Sequence, residues 1–205
     1  MIHVYEEGKK DHPIFIVLHG TGGNEHDLIP LAKKIDEEAS ILSIRGDVSE
    51  NGMARFFKRL RPGVFDEEDL IQRTHNLIDF LQKMADEYKF DKNNMIALGY
   101  SNGANIAVSV LFHEPKVLKG AILHHPMVPL KDIALRDMTK LKVFIGAGVN
   151  DPICSKEESS QLYSLFEGAG ADVEINWFDQ GHALTDDEID AATSWYSEQF
   201  NQNKD

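Results

Sequence analysis

Met95-Ile-Ala-Leu-Gly-Tyr-Ser-Asn-Gly-Ala104 is the stretch whose reading decides the fold. Residues 95–98 form a short apolar run of strand character, and a helical apolar pattern over 104–112 begins directly afterwards. Between them stands Gly99-Tyr100-Ser101-Asn102-Gly103, which reads G-x-S-x-G. The motif carries meaning only in that context. A sharp strand-to-helix turn lifts the serine hydroxyl above the end of a sheet. The backbone at Ser101 is then strained. The residues two before and two after it approach neighbouring backbone, so both are glycine.

Further apolar runs lie on either side: Ile14–Leu18, 41–44, 120–123, 142–145 and 173–178. Most are continuous rather than alternating, as in strands of a parallel sheet covered on both faces by helices. Helical patterns separate them, over 28–35, 104–112 and 155–166. Asp66 reads as an N-cap with Phe65 and Leu70 stapled across the first turn, and Leu70, Leu77, Ile78, Leu81, Met84 and Tyr88 share a face. Thr185 and Glu188 read as a T-x-x-E capping box ahead of Ile189, Thr193, Tyr196 and Phe200. Strands alternating with helices predict an α/β fold whose site lies beyond the carboxyl ends of the strands. One domain is expected over 1–200, with 201–205 a frayed polar tail.

Composition narrows the function. The chain has 205 residues and a formal net charge of −13, which disfavours nonspecific nucleic-acid binding and adhesion to anionic membranes. Its one cysteine, Cys154, excludes an intramolecular disulfide and a Cys-rich zinc site, and fits a reducing compartment. Residues 1–11 show no apolar signal-peptide core, and no stretch is apolar enough to enter a bilayer. The cytoplasm is the expected location. Neither a metal nor an organic cofactor is expected.

A serine hydroxyl needs an adjacent base, and after a G-x-S-x-G turn the partners follow in the order acid, then histidine. Asp151 stands just past the apolar strand and Gly146-Ala-Gly148, and is followed by Pro152. His182 is the only histidine after it. Asp179 is a weaker rival acid, three residues before His182 and poorly placed to reach it. Donors for an oxyanion are expected from the N–H of Asn102 and, in the glycine-rich loop His19-Gly20-Thr21-Gly22-Gly23, from the N–H of Thr21. That loop lacks both the G-K-[ST] and the G-x-G-x-x-G phosphate patterns. His19 reads as a loop tie, His26 with Glu25 and Asp27 as a polar helix start, and Cys154 as a bystander. His124 and His125 read as a loop pair, with one of them a candidate substrate contact. Met53, Phe56, Phe57, Met127, Val128 and Leu130 are candidates for a substrate pocket, with ordinary packing an equal alternative.

Six stretches together carry a family resemblance: LHGTGGNEHDLIPLA, RGDVSENGMARFFKRL, GVFDEEDL, GYSNGAN, FIGAGVNDPIC and GHALT. The chain resembles the small phospholipase/carboxylesterase family of α/β-hydrolases, relatives of the acyl-protein thioesterases, and within it the bacterial MhqD-type carboxylesterases. The resemblance implies a three-layer α/β-hydrolase fold, with a mostly parallel central sheet flanked by helices. It implies Ser101, Asp151 and His182 as a catalytic triad, and Thr21 and Asn102 as oxyanion donors. The S-N-G elbow replaces the S-Q-G of the thioesterases, and T-G-G replaces their L-G-D, which argues against protein depalmitoylation. About fifty residues separate Ser101 from Asp151, too few for a lid domain, so residues 45–64 are the loop expected to wall the pocket. The expected function is a serine carboxylesterase acting on a small soluble ester. A thioesterase or lysophospholipase with the same triad is the alternative, and a catalytically silent ligand-binding protein a second. A homodimer is compatible with the sequence, though no feature demands one.

Overall fold

The computed structural model describes residues 1–61 and 63–200; the tail expected to fray over 201–205 lies outside them. Along the chain run strand β1 (His3–Glu6), β2 (Ile14–Leu18), helix α1 (Ile29–Ile35) and β3 (Ser40–Ile44). Two small hairpins follow, β4 (Val48–Glu50) with β5 (Met53–Arg55), and β6 (Arg59–Arg61) with β7 (Val64–Phe65). Then come α2 (Glu67–Tyr88), β8 (Met95–Tyr100), α3 (Asn102–His113), β9 (Gly120–His124), β10 (Lys142–Gly148), α4 (Lys156–Gly168), β11 (Asp172–Phe178) and α5 (Asp186–Phe200).

Strand β2 shows why the sheet has helices on both faces. All five of its residues are buried. Ile14, Ile16 and Leu18 enter one apolar cluster while Phe15 and Val17 enter another, because successive strand side chains point to opposite faces. Each buried side chain of this size contributes about 1.5–3 kcal/mol. The first cluster includes residues of α2, α3 and α4, and the second residues of α1 and α5. The sheet runs in the order β1-β3-β2-β8-β9-β10-β11, with β1 antiparallel to β3 and every other pair parallel. This is the three-layer, mostly parallel architecture expected. Residues 125–141, between β9 and β10, contain no helix, so no lid domain is inserted there. Among the described residues, no helix is long and apolar enough to cross a membrane.

Local signals explain several boundaries. Asp66 caps α2, its Oδ1 accepting the Asp69 N–H at 3.1 Å. Helix α3 has all but its last residue buried, as a helix wedged between sheet and helix must. The capping box at Thr185 is only half formed. Thr185 Oγ1 accepts the Glu188 N–H at 3.3 Å, but the Glu188 carboxylate does not return to the helix start. It turns inward to two histidines. Strand β1 is absent from the apolar runs because it is a four-residue, half-buried edge. The wall loop contains the two hairpins, too short and too polar to stand out by pattern.

Candidate active site

Six chain segments meet beyond the carboxyl end of the sheet, following β2, β3, β8, β9, β10 and β11. The turn after β8 is the sharpest of them. Ser101 has φ 52° and ψ −112°, a conformation costing an L-residue about 1–3 kcal/mol. It persists because both sides are tied. The Ser101 N–H donates to the His124 carbonyl at 2.9 Å, and the Ser101 carbonyl accepts the Asn105 N–H at 2.9 Å. A Cβ on Gly99 would lie 2.8 Å from Ala104 N, and one on Gly103 only 2.0 Å from the Leu18 carbonyl oxygen. The side chain of Ser101 caps nothing in the helix.

Its hydroxyl faces a base instead. Ser101 Oγ lies 2.9 Å from His182 Nε2, and His182 Nδ1 lies 2.6 Å from Asp151 Oδ2. With Nδ1–H donating to the carboxylate, the Nε2 lone pair can take the serine proton. Asp151 Oδ1 accepts the N–H groups of Ile153 at 2.8 Å and Cys154 at 3.0 Å. Burial would raise the Asp151 pKa, but these bonds and the one from His182 outweigh it and hold the carboxyl below its ordinary value. The loop bearing His182 is pinned by Tyr100, whose hydroxyl donates to the His182 carbonyl at 2.7 Å, and by the Gly181 N–H on Asn150 Oδ1 at 3.0 Å. Asp179 is exposed and takes no part in this chain of bonds.

Thr21 and Asn102 flank the serine. Among the described residues neither N–H donates to a backbone carbonyl outside regular elements, and the first N–H groups of a helix have no partner within it. Their side chains fasten the wall. Thr21 Oγ1 accepts Arg55 Nη1 at 2.6 Å, and Asn102 Oδ1 accepts the Phe56 N–H at 2.8 Å. The Gly22 N–H donates to Ala54 O at 2.9 Å. Asn102 Nδ2 is buried without a partner among the described residues. His19 ties its loop, Nδ1–H donating to Gly20 O at 2.6 Å and Nε2 accepting the Gly46 N–H at 3.0 Å.

A cavity of about 250 Å³ opens over the serine, lined by Thr21, Arg55, Arg59, Phe65, Tyr100, Asn102, Asn105, Met127, Ile153 and His182 among others. Of the proposed pocket residues only Met127 lines it. Phe56 and Phe57 are 3% and 0% exposed and belong to the core. Leu130 is core as well. Val128 packs half-buried against that core, and Met53 is 39% exposed beside Gly22. Bond pairing around the hairpins explains the exchange: the two phenylalanines turn inward and the arginines on either side of them turn to the cavity. Arg55 Nε donates to Phe57 O at 3.2 Å and lies 3.2 Å from Glu50 Oε2, while Arg59 Nε donates to Glu50 Oε1 at 2.9 Å. The R-F-F-K-R run was the available signal for this basic wall. A larger cleft of about 640 Å³ at the start of β2, beside Tyr5 and Tyr88, holds no nucleophile–base pair.

Neither His124 nor His125 lines this cavity; both are buried against Glu188. His125, Asp151 and His182 bring possible ligand atoms within 4.8 Å of one another. The contacts of Asp151 Oδ2 at 2.6 and 3.0 Å are those of N–H donors to a carboxylate, and the same groups already serve as hydrogen-bond partners of one another. Cys154 is buried, and burial pushes its thiol up to about 12, so it stays protonated and unreactive.

The sequence profile of the Dienelactone hydrolase family matches residues 46–203. The chain belongs to the dienelactone hydrolase family. Among relatives, the Bacillus subtilis (strain 168) protein MhqD, described as a hydrolase, is 56% identical over 198 residues, which is 97% of this chain and 98% of that protein. The Bacillus cereus carboxylesterase is 56% identical with a TM-score of 0.96, covering 97% of this chain and 94% of its own. The structure of YahD with malic acid is 33% identical with a TM-score of 0.93, covering 97% and 98%. As a member of the dienelactone hydrolase family the chain is a hydrolase, similar to MhqD and to a carboxylesterase of known structure.

Proposed function

We propose that the protein is a serine carboxylesterase that cleaves small carboxylic esters through an acyl-enzyme on Ser101. The observation that carries this is the unbroken run of hydrogen-bond distances from Ser101 Oγ through His182 to Asp151. His182 Nε2 takes the hydroxyl proton as Ser101 Oγ bonds to the ester carbonyl carbon. Asp151 stabilises the imidazolium, and the N–H groups of Thr21 and Asn102 receive the oxyanion. His182 returns the proton to the departing alcohol. Water, deprotonated by His182, then releases the carboxylic acid and restores the serine. The setting is the reducing cytoplasm.

The cavity's size and missing lid favour short, soluble substrates. Its chemistry favours an ester that also carries a carboxylate. Arg55 and Arg59 place two guanidinium groups at the wall against the single carboxylate of Glu50, and Asn102 Nδ2 is an unused donor beside them. YahD's structure with a dicarboxylic acid supports this reading. The overall charge of −13 weighs little against such substrates at the cavity, since charges more than about 8–10 Å away are screened.

The test is hydrolysis of p-nitrophenyl esters with acyl chains of two to sixteen carbons, together with the mono-ester of succinic acid. Turnover is expected to peak at short chains. The succinyl ester is expected to exceed the neutral butyryl ester in kcat/KM by about tenfold, a preference that Arg59→Gln removes through KM. A peak at long chains contradicts the small-ester reading and favours a lysophospholipase or thioesterase. Absence of turnover on every ester favours a ligand-binding role.

A further inference from the structure

His125 places both ring nitrogens on carboxylates. Nδ1 lies 3.0 Å from Asp151 Oδ2, and Nε2 lies 3.1 Å from Glu188 Oε2. The three side chains are fully buried. A neutral imidazole has one N–H and one lone pair, so one of these contacts would set a lone pair against a carboxylate. The imidazolium satisfies both. Neighbouring His124 makes the contrast: its Nδ1 meets Glu188 Oε1 at 2.5 Å, and its Nε2 has no partner among the described residues.

The fold is shaped around this group. His125 holds φ 52°, and its N–H donates to the Gly146 carbonyl at 2.7 Å. A Cβ on Gly146 would fall 2.1 Å from Glu188 Oε1, so β10 leaves this position bare where the carboxylate enters the sheet. Burial pushes the His125 pKa down, but the hydrogen bonds and charges of Glu188 and Asp151 overcome this and raise it. Burial pushes Glu188 up, and the bonds from His124 and His125 overcome this and lower it.

We infer that His125, held between Asp151 and Glu188, is a positioning residue that fixes the Asp151 carboxylate and sets the acid limb of the enzyme's pH–rate profile. The inference rests on the triad proposed above. Asp151 Oδ2 is shared by two N–H donors, His182 Nδ1 and His125 Nδ1. The His125 charge therefore competes for the carboxylate that stabilises a protonated His182. Its ring lies 5.0 Å from that of His182 and 6.0 Å from that of Tyr100. The groups facing it are Asp151 after β10, Glu188 on α5, His124 on β9, His182 after β11 and Tyr100 on β8. The Cys154 thiol and the Tyr100 phenol, both raised by burial, stay neutral at working pH. Removing the cation leaves the Asp151 carboxylate to its other donor alone, which moves the acid limb upward.

The experiment measures kcat/KM for a short p-nitrophenyl ester against pH in wild type, His125→Asn and Glu188→Gln. Asparagine keeps a donor without the charge, and glutamine keeps the shape without the anion that holds the charge. The acid limb is expected to move up by about one pH unit in both, with KM unchanged. An unmoved limb, with kcat falling only in step with thermal stability, overturns the inference in favour of a purely structural role. Should both variants fail to fold, ¹⁵N chemical shifts of the histidine rings in the wild-type protein decide. The His125 ring is expected to stay doubly protonated above the pH at which a free imidazole loses that proton, and a neutral His125 ring there overturns the inference. That readout is independent of turnover. Loss of the functional reading would appear instead as esterase activity that survives Ser101→Ala.

Discussion

Replacing Ser101 by alanine is expected to lower kcat on a short-chain ester by about 10⁴–10⁶-fold while leaving the fold intact. The hydroxyl is the only part of Ser101 that faces His182; its backbone N–H and carbonyl keep their bonds to His124 and Asn105 in the variant. Alanine and serine are equally strained at φ 52°, so the turn keeps its shape. His182 remains held by Asp151, and the flanking N–H groups still receive an oxyanion. Residual turnover therefore comes from water attacking a bound ester. Paired steady-state kinetics and thermal melts check this. A variant that retains wild-type kcat contradicts the nucleophile assignment, and one that loses both kcat and Tm points to a structural role for the hydroxyl.

Gly103→Ala is expected to damage the molecule in the opposite order, stability first. The added methyl would lie 2.0 Å from Leu18 O, 2.4 Å from Leu18 C and 2.6 Å from His19 O. These are backbone atoms at the end of a strand buried on both faces, so no side chain can swing aside. Helix α3 must retreat from β2, and it is buried along almost its whole length. Overpacking of this kind costs about 3 kcal/mol. For a domain of this size that lowers Tm by roughly 6–12 °C. Retreat also draws Asn102 away from Thr21, so kcat falls with stability. A melt and a rate both at wild-type values would contradict the close contact of the elbow with β2.

The parts of this fold that were legible are those where local sequence and tertiary packing ask for the same residues. Ile14–Leu18 is apolar throughout because both its faces are covered, and Gly99 and Gly103 are glycine because backbone crosses there. Ser101, Asp151 and His182 each end up after a different strand of one parallel sheet, so strand order in the sequence carries them to one edge. Elsewhere one pattern admits two structures. Thr185 and Glu188 have the spacing of a capping box, yet whether the carboxylate returns to the helix or enters the core is decided by His124 and His125, which lie more than sixty residues away. Phe56 and Phe57 lie in the wall loop as expected, but a hairpin's register decides which side chains face the cavity. That same register brings Arg55 and Arg59 to the cavity. Strand β1 is edge-paired and half-buried, and so lacks the apolar run that marked its neighbours.

The central claim is a covalent acyl-enzyme at Ser101, and trapping with a fluorophosphonate followed by intact-mass and peptide analysis tests it most directly. One adduct per chain is expected, on the peptide containing Ser101, with Cys154 unmodified and no adduct in Ser101→Ala. An active protein that takes no label, or carries it on another residue, contradicts the account.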